Sequence, residues 1–247
     1  SPHGYVAWCW KAGGAAVTNK AGSITSQVSA NRTAGFSIVS YTGNYTAGAT
    51  IGHGLGKKPS MMIVKERTGA SGWFVYHKDL GATKFLSLHD TTAAGTETGN
   101  TACWYATEPN TTVFTVGQNG ATNENNRPII AYCWTEIEGF SKFGSYEGNQ
   151  STDGTFVYCG FKPAFIIRKS ATSTVGWYLT DSSRNPTNPV TLFLDASDSD
   201  SDGTGTDVDF LSNGFKLRNA DAGTNYNNQT YIFAAFAESP FQTANAK

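Results

Sequence analysis

The chain repeats its own short motifs at a constant separation of 104 residues. Three motifs recur in this register: Gly35-Phe36-Ser37 as Gly139-Phe140-Ser141, Pro59 as Pro163, and Gly72-Trp73 as Gly176-Trp177. Unrelated motifs that keep one register indicate an internal duplication of a unit of about one hundred residues, and such a duplication constrains the whole fold. A duplicated unit is more typical of structural and binding modules than of an enzyme with one active site.

The composition is typical of an all-β protein. Of the 247 residues, 13% are aromatic and 27 are glycine, whereas only 15% are charged. Aromatic and β-branched side chains suit pleated sheets, and Gly, Asn and Asp supply turns. Short apolar runs are separated by turn residues, and no segment sustains a period of 3.6 residues. We therefore predict two tandem, related antiparallel β-sandwich domains of jelly-roll or lectin-like type, with very little helix.

The repeat also sets the predicted domain boundaries. Residues 1–33 comprise a short aromatic strand at 5–10 and a connector at 12–33, interpreted as the end of a preceding domain or a completion of the first sandwich. Residues 34–138 form the first sandwich and residues 139–247 the second. The predicted strands lie near 36–41, 61–65, 73–77, 84–88, 112–116 and 128–134, then near 140–146, 155–159, 164–169, 176–180, 190–194, 208–211, 214–218 and 230–237.

Charge and hydropathy argue against two classes of partner. The net charge is −1, and the sequence contains no Lys/Arg run or basic stripe. Neutralisation of phosphates, which drives most nucleic-acid affinity, therefore has few groups to work with. No apolar run reaches the roughly 18 residues that a spanning helix needs. We expect neither nucleic-acid binding nor membrane insertion.

The four cysteines do not form a metal or redox motif. Cys9, Cys103, Cys133 and Cys159 include no CxxC pair, and none lies at zinc-ligand spacing from a histidine. We favour roles as small buried apolar side chains for all four. A disulfide between them stays open.

Aromatic residues provide two kinds of candidate for ligand contact. Trp73 and Trp177 each follow a glycine in matching strands, and we favour core packing over a sugar-stacking platform for both. Loop tyrosines flanked by asparagine are the stronger candidates, because binding residues concentrate on loops over a rigid scaffold. The predicted ligand-binding residues are Tyr45, Asn225, Tyr226 and Asn227.

The acidic run at 195–209 resembles the opening of a calcium-binding loop. Carboxylates at alternate positions precede Gly203, but the twelfth position is Asp rather than Glu and no helices flank the run. We favour a solvated loop between strands and hence no cofactor. The alternative is a calcium site formed by Asp198, Asp200, Asp202 and Asp209.

No motif in the chain predicts catalysis. His53 and His77 have no histidine at the matching positions of the second repeat, and no GxSxG element surrounds a serine. Glu136 and Glu138 lie close together at a strand end, as glycosidase carboxylates can, yet too near the domain junction to define a cleft. We predict that the protein is not an enzyme.

Several segments resemble a module of marine bacteriophage structural proteins. They are Gly35–Asn44, Ile51–Gly56 with Pro59 and the Met61–Lys65 strand, Gly139–Asn149, and Leu211–Arg218. In that family, found in cyanophages and related sequences, the module often follows a SPRY-like or lectin-like β-sandwich, whose last strand residues 5–10 resemble. The resemblance covers Tyr5 to Phe241. It implies a tail-fibre or tail-associated protein and brings no catalytic residues with it.

The resemblance leads to a functional expectation. We expect a virion protein, in the tail or another external appendage, that binds a bacterial surface polysaccharide and contacts other virion proteins. Fibres of this kind are commonly homotrimers, because weak sugar contacts add through multivalency. Two alternatives stay open: a capsid decoration or head-fibre protein with a purely structural role, and a polysaccharide depolymerase.

Overall fold

The fold is all-β with very little helix, as the composition predicts. The computed structural model describes residues 5–239, without the side chain of Thr206; residues 1–4 and 240–247 of the two outer predicted domains lie outside the described residues. The elements are β1 (Val17–Asn19), β2 (Ser26–Asn31), β3 (Phe36–Thr42), β4 (Ala49–Gly52), β5 (Met61–Glu66), β6 (Trp73–His77), β7 (Lys84–Ser87), β8 (Gly95–Thr96), β9 (Val113–Val116), α1 (Gly120–Asn123), β10 (Pro128–Trp134), β11 (Ser141–Glu147), β12 (Phe156–Tyr158), β13 (Pro163–Ser170), β14 (Trp177–Asp181), β15 (Val190–Asp195), β16 (Gly203–Leu211), β17 (Gly214–Leu217) and β18 (Thr230–Ala237).

The strands form two eight-stranded sheets and one separate pair, with antiparallel ladders between neighbours. The first sheet has the order β1-β2-β3-β10-β5-β6-β7-β8, and β4 pairs with β9. The second sheet has the order β11-β18-β13-β14-β15-β16-β17-β12. We call β1–β10 the first half of the molecule and β11–β18 the second half.

The two halves share one strand order. The run β3-β10-β5-β6-β7 of the first sheet corresponds to β11-β18-β13-β14-β15 of the second, and the β4–β9 pair corresponds to β12–β17. In the second half, the long strand β16 joins both parts into one sheet. This sheet curls into a nearly closed barrel, and the Thr155 hydroxyl at its seam donates to the Glu147 carbonyl at 2.8 Å.

Each half has its own apolar core. In the first half, Val39, Tyr41 and Val64 of the sheet pack against Ile51 and Phe114 of the β4–β9 pair. In the second half, the corresponding cluster fills the curled sheet and includes Tyr146, Val157, Phe215, Tyr231 and Phe233. Tyr41 meets Phe114 edge-on at 6.1 Å and Tyr146 meets Phe215 edge-on at 6.0 Å between ring centroids, so the aromatic packing repeats as well.

A third apolar cluster lies between the two sheets. Met61, Val75 and Trp134 of the first half pack there against Phe165 and Trp177 of the second. Alternate residues of a strand face opposite sides of its sheet. The run Met61–Val64 therefore contributes side chains to two cores.

Two polar contacts also join the halves. The indole Nε1 of Trp177 donates to the Ser87 carbonyl at 2.8 Å, and His77 Nε2 lies 3.2 Å from the Phe233 carbonyl. All four residues are buried. Together with the third cluster, these bonds tie the two sheets into one packed body.

The N-terminal region differs from its prediction. Residues 5–10 form no strand; Trp8 and Trp10 instead contact Phe165 at 5.0 and 5.9 Å between ring centroids. Their aromatic side chains are used for packing at the rim of the third cluster rather than for strand pairing. The segment at 12–33, interpreted as a connector, contains β1 and β2. The short strand β1 forms the edge of the first sheet, and β2 lies between β1 and β3 with only Val28 in the apolar core.

Candidate functional site

The predicted ligand residue Asn225 is a structural centre of its loop. Its side chain is fully buried. Its Oδ1 accepts from the Asn149 backbone N–H at 3.1 Å, and its Nδ2 donates to the carbonyls of Ser151 at 2.9 Å and Asn219 at 2.7 Å. These bonds leave the amide no free face, so Asn225 shapes the loop and does not reach a ligand. The neighbouring Tyr226 and Asn227 are exposed.

Asn123 plays the same part in the first half. Its Oδ1 accepts from the Asn44 N–H at 2.9 Å, and its Nδ2 donates to the carbonyls of Thr46 at 3.0 Å and Gly117 at 2.9 Å. We call Asn123 and Asn225 the asparagine hubs. Two Gly-Asn motifs, Gly43-Asn44 and Gly148-Asn149, connect β3 and β11 to these hubs.

Glycine is required in these motifs by close packing rather than by a positive φ. A Cβ on Gly43 would lie 2.2 Å from the Glu124 carbonyl, and one on Gly148 would lie 2.1 Å from the Tyr226 carbonyl. The left-handed residues come two positions later, at Tyr45 with φ 54° and Gln150 with φ 53°. The predicted contact residue Tyr45 is exposed, in the first-half loop that corresponds to the loop after β11.

The structure does not bring the four candidate calcium ligands together. Asp202 pairs with Arg184 at 2.8 Å, and Asp209 pairs with Arg218 at 2.6 Å. Asp198 accepts a local bond from the Asp200 N–H. Within residues 5–239, no group of three or more His, Cys, Asp or Glu side chains is arranged to hold a metal ion.

The two repeated tryptophans have different environments. Trp177 is 1% exposed, as predicted for a core residue, whereas Trp73 is 36% exposed, so the core interpretation of Trp73 is wrong. The sheets overlap only partly: the first half covers the start of β14, where Trp177 bonds to the Ser87 carbonyl, whereas the second sheet leaves the start of β6 open. Trp73 therefore stands on an open part of the first sheet.

Trp73 belongs to a patch that we call the aromatic platform: Ile38, Ile63, Trp73 and Tyr132. Strand register places Ile38, Tyr132 and Ile63 side by side, and Trp73 one row further on beside Lys65. The rings of Trp73 and Tyr132 lie nearly parallel, 18° apart, with centroids separated by 6.4 Å. The platform forms one side of a shallow apolar groove of about 310 Å³.

Polar side chains border the platform on the same sheet face. Ser40 and Lys65 flank Ile130 in the next row, and Gln27 of β2 follows Ser40. His89 supports the platform from the side, because its Nδ1 accepts from the Trp73 N–H at 3.0 Å. A flat apolar surface with hydroxyl, amide and ammonium groups at its border can bind a ligand that has one apolar face and many hydroxyls. Sequence reasoning missed this surface because exposure depends on how far the sheets overlap.

The groups considered for catalysis are placed in structural settings. His53 is buried beside the Asn110 carbonyl, and burial lowers its pKa. Burial likewise lowers the pKa of His77 to about 4. Glu136 pairs with Lys142 at 2.7 Å, while Glu138 is exposed.

The prediction that all four cysteines are buried is confirmed for three of them and wrong for Cys9. Cys103, Cys133 and Cys159 are buried and Cys9 is exposed; all four are free thiols. Burial raises the pKa of both Cys133 and Cys159 to about 12, which disfavours the reactive thiolate.

A buried ion pair that the sequence did not indicate lies inside the second half. Arg168 and Asp207 are both buried and form a bidentate pair. The Thr180 hydroxyl lies 2.9 Å from Arg168 Nη2, and Asn219 Nδ2 donates to Asp207 at 3.0 Å. These partners satisfy the carboxylate, so the pair is a core element and not an open site.

Comparison with known proteins identifies a family but no function. The model of a domain of unknown function, DUF7483, matches residues 1–240, and the chain belongs to this family. No curated protein and no solved structure matches it. Within residues 5–239, no helix is long and apolar enough to cross a membrane.

Proposed function

We propose that this member of the family is a non-catalytic bacteriophage virion protein, from a tail fibre or tail-associated appendage, that binds a bacterial surface glycan on its aromatic platform. The observation that carries the proposal is the exposed ring of Trp73, which stacks on the half-buried ring of Tyr132 on the first sheet. The resemblance of the repeated motifs to phage structural modules supports the virion assignment.

The platform suits a sugar for physical reasons. The C–H face of a pyranose ring packs on an aromatic ring, while its hydroxyls need polar partners at the edge. Trp73 and Tyr132 offer the apolar surface. Ser40 and Gln27 offer donors and acceptors on the same face. Lys65 lies beside them, and its ammonium donates to the carbonyls of Glu66 and Gly69. The rings need little ordering on binding because Tyr132 contacts both Trp73 and Trp134, at 6.4 Å between ring centroids in each case.

The fold supports a duplicated organisation of the chain. We regard the two halves as tandem related β-sandwich modules, because they share a strand order and an asparagine hub. A single shallow platform binds one sugar weakly, so we propose that the protein acts as a homotrimer that presents several platforms to a repetitive polysaccharide.

Binding to cells tests this function. The labelled full chain is incubated with a panel of marine and freshwater bacteria, each with and without its surface polysaccharide removed. Saturable binding to a few strains that disappears on stripping supports the proposal. A folded oligomer that binds no strain would contradict it and favour a capsid decoration role.

Two matched variants locate the site. Trp73→Ala should weaken binding about tenfold or more, because exposed aromatic anchors dominate such contacts. Tyr226→Ala removes an exposed loop tyrosine of the second half and should leave binding unchanged. The reverse result would assign the site to the predicted loop and exclude the platform.

A further inference from the structure

In the first half, a segment before β3 closes the seam between β3 and β4. The Ile24 N–H donates to the Thr50 carbonyl at 3.0 Å, and the Ser26 hydroxyl donates to the Gly52 carbonyl at 2.9 Å. On its other side, β2 pairs with β3 along its full length. Ile24 and Val28 point into the first core.

Strands β11 and β12 occupy the corresponding positions in the second half. A glycine precedes each short strand: Gly48 N–H donates to the Val116 carbonyl, and Gly154 N–H donates to the Leu217 carbonyl. Tyr41 and Tyr146 donate their hydroxyls at 2.7 Å to Thr122 and Thr224, respectively. Phe156 and Tyr158 follow Gly154 by two and four residues, as Thr50 and Gly52 follow Gly48. They therefore occupy the corresponding positions.

Within residues 5–239, no strand lies between β11 and β12. The Thr155–Glu147 hydrogen bond bridges one end of this seam, and a groove of about 290 Å³ lies next to it. Ser145 of β11, Phe156 and Tyr158 of β12, and Lys78 and Asp79 of the first half line it. We call it the seam groove.

The backbone of β12 faces this groove with unused pairing groups. Leu217 N–H donates to the Thr155 carbonyl, and Cys159 N–H donates to the Asn213 carbonyl. Since alternate residues of an antiparallel strand pair to one side, the N–H and C=O of Phe156 and Tyr158 point to the other side, into the seam groove. Such an edge is a template for strand addition.

The side chains at these positions are also uncovered. Phe156 is 44% and Tyr158 64% exposed. In the first half, the position of Tyr158 is occupied by Gly52, and a Cβ there would lie 2.3 Å from Asn19 Oδ1, because β1 and β2 cover it. Exposed aromatic side chains beside an open strand edge mark an interaction surface.

We propose that the seam groove accepts an extended strand of another protein, which adds to the second half as β2 adds to the first. The incoming strand carries β-branched apolar residues at the positions of Ile24 and Val28, with a small polar residue between them, and runs antiparallel to β11. Residues 21–31, which have this pattern, are already paired in their own half, and we assign the incoming strand to a different protein. This inference concerns another surface than the platform and stands apart from the proposed function.

A peptide that copies the first-half segment tests the proposal. A labelled peptide of residues 21–31 is titrated with the full chain and followed by fluorescence anisotropy. We expect saturable binding below about 1 mM and at least tenfold weaker binding of the same peptide with Ile24→Asp and Val28→Asp. Hydrogen exchange on the wild-type chain should show new protection of the Phe156 and Tyr158 amides. Absence of saturable binding, or of that protection, would overturn the proposal.

Two substitutions at one position separate backbone pairing from side-chain contact. Phe156→Pro removes the groove-facing N–H while keeping the bonds to β17, and Pro is tolerated on that side of an edge strand. Phe156→Ala removes the ring and keeps the N–H. We expect the Pro variant to lose the peptide and the Ala variant to retain it within about tenfold. Three outcomes would each refute a strand donated by a different protein. The first is an equal loss of peptide binding in both variants, and the second is displacement of the peptide by an oligosaccharide. The third is a dimer of the chain that Phe156→Pro dissociates.

Discussion

Replacing Asn225 by alanine should destabilise the protein strongly without acting through a ligand. The substitution removes one acceptor and two donors at a fully buried position. It leaves the Asn149 N–H and the carbonyls of Ser151 and Asn219 without their partner. Asn123→Ala does the same to Asn44, Thr46 and Gly117 in the first half and serves as its internal match.

The expected loss of unfolding free energy follows from the number of hydrogen bonds that each substitution removes. A net hydrogen bond contributes about 1 kcal/mol, and each buried group left unpaired costs about 1–3 kcal/mol. Three bonds at each hub therefore give about 3–5 kcal/mol, once partial access of water to the freed groups is allowed for. This is a large part of the 5–15 kcal/mol by which a typical native protein is stable.

Urea unfolding followed by tryptophan fluorescence measures both effects. The urea midpoints of the Asn225→Ala and Asn123→Ala variants should both fall. The expected shift is the loss in unfolding free energy divided by the slope of that free energy against urea concentration. Asn227→Ala, at an exposed neighbouring position, should unfold like the wild type. An unchanged midpoint for Asn225→Ala together with reduced binding to bacteria would refute the hub and restore Asn225 as a ligand residue.

Three further predictions rest on buried polar groups. Arg168→Met should cost about 3–5 kcal/mol in urea unfolding because it strands Asp207, and the double variant with Asp207→Leu should recover most of the loss; no recovery would contradict the pairing. Because burial lowers the pKa of His77 to about 4, the unfolded chain binds its proton more tightly. Stability should therefore fall as pH drops from about 6.5 to 4, on the order of 3 kcal/mol in total, and the His77→Asn profile should be flatter there; parallel profiles would contradict this origin. A thiol reagent at neutral pH should modify Cys9 in the folded chain and the other three cysteines only in denaturant, whereas rapid reaction of all four would show that the cores are open.

The sequence predicts strands well where pattern and turn chemistry agree. The predicted strands at 73–77, 128–134 and 230–237 coincide with β6, β10 and β18. Each is a run of aromatic or β-branched residues between turn residues, so local preference and burial point to one answer. The polar strands β1 and β2 lack this signal: β1 is an edge strand, and β2 places a single large apolar residue, Val28, in the core.

The location of exposed sites could not be read from local sequence. Trp73 and Trp177 share a preceding glycine, a strand and a register, yet one is exposed and the other buried. The difference lies in the packing of the second sheet, which no short motif encodes. The acidic run fails as a site for a similar reason, since Arg184 and Arg218 reach its carboxylates only in the folded chain.

The residues that support the fold are shared by the two halves or replaced by residues that fill the same space. Val39 faces Ala131 in the first half, whereas Gly144 faces Phe233 at the matching place in the second, so a large residue has changed strands while the core stays filled. The asparagine hubs and the buried tyrosine hydroxyls are the same in both halves, as expected of groups that hold the scaffold.

The two halves differ most at their surfaces and seams. The first half has an open platform around Trp73 and a seam closed by β2; the second buries Trp177 and leaves its seam open at Phe156 and Tyr158. Under the two proposals made above, the first half contacts the glycan through its platform and the second half accepts the strand of a partner.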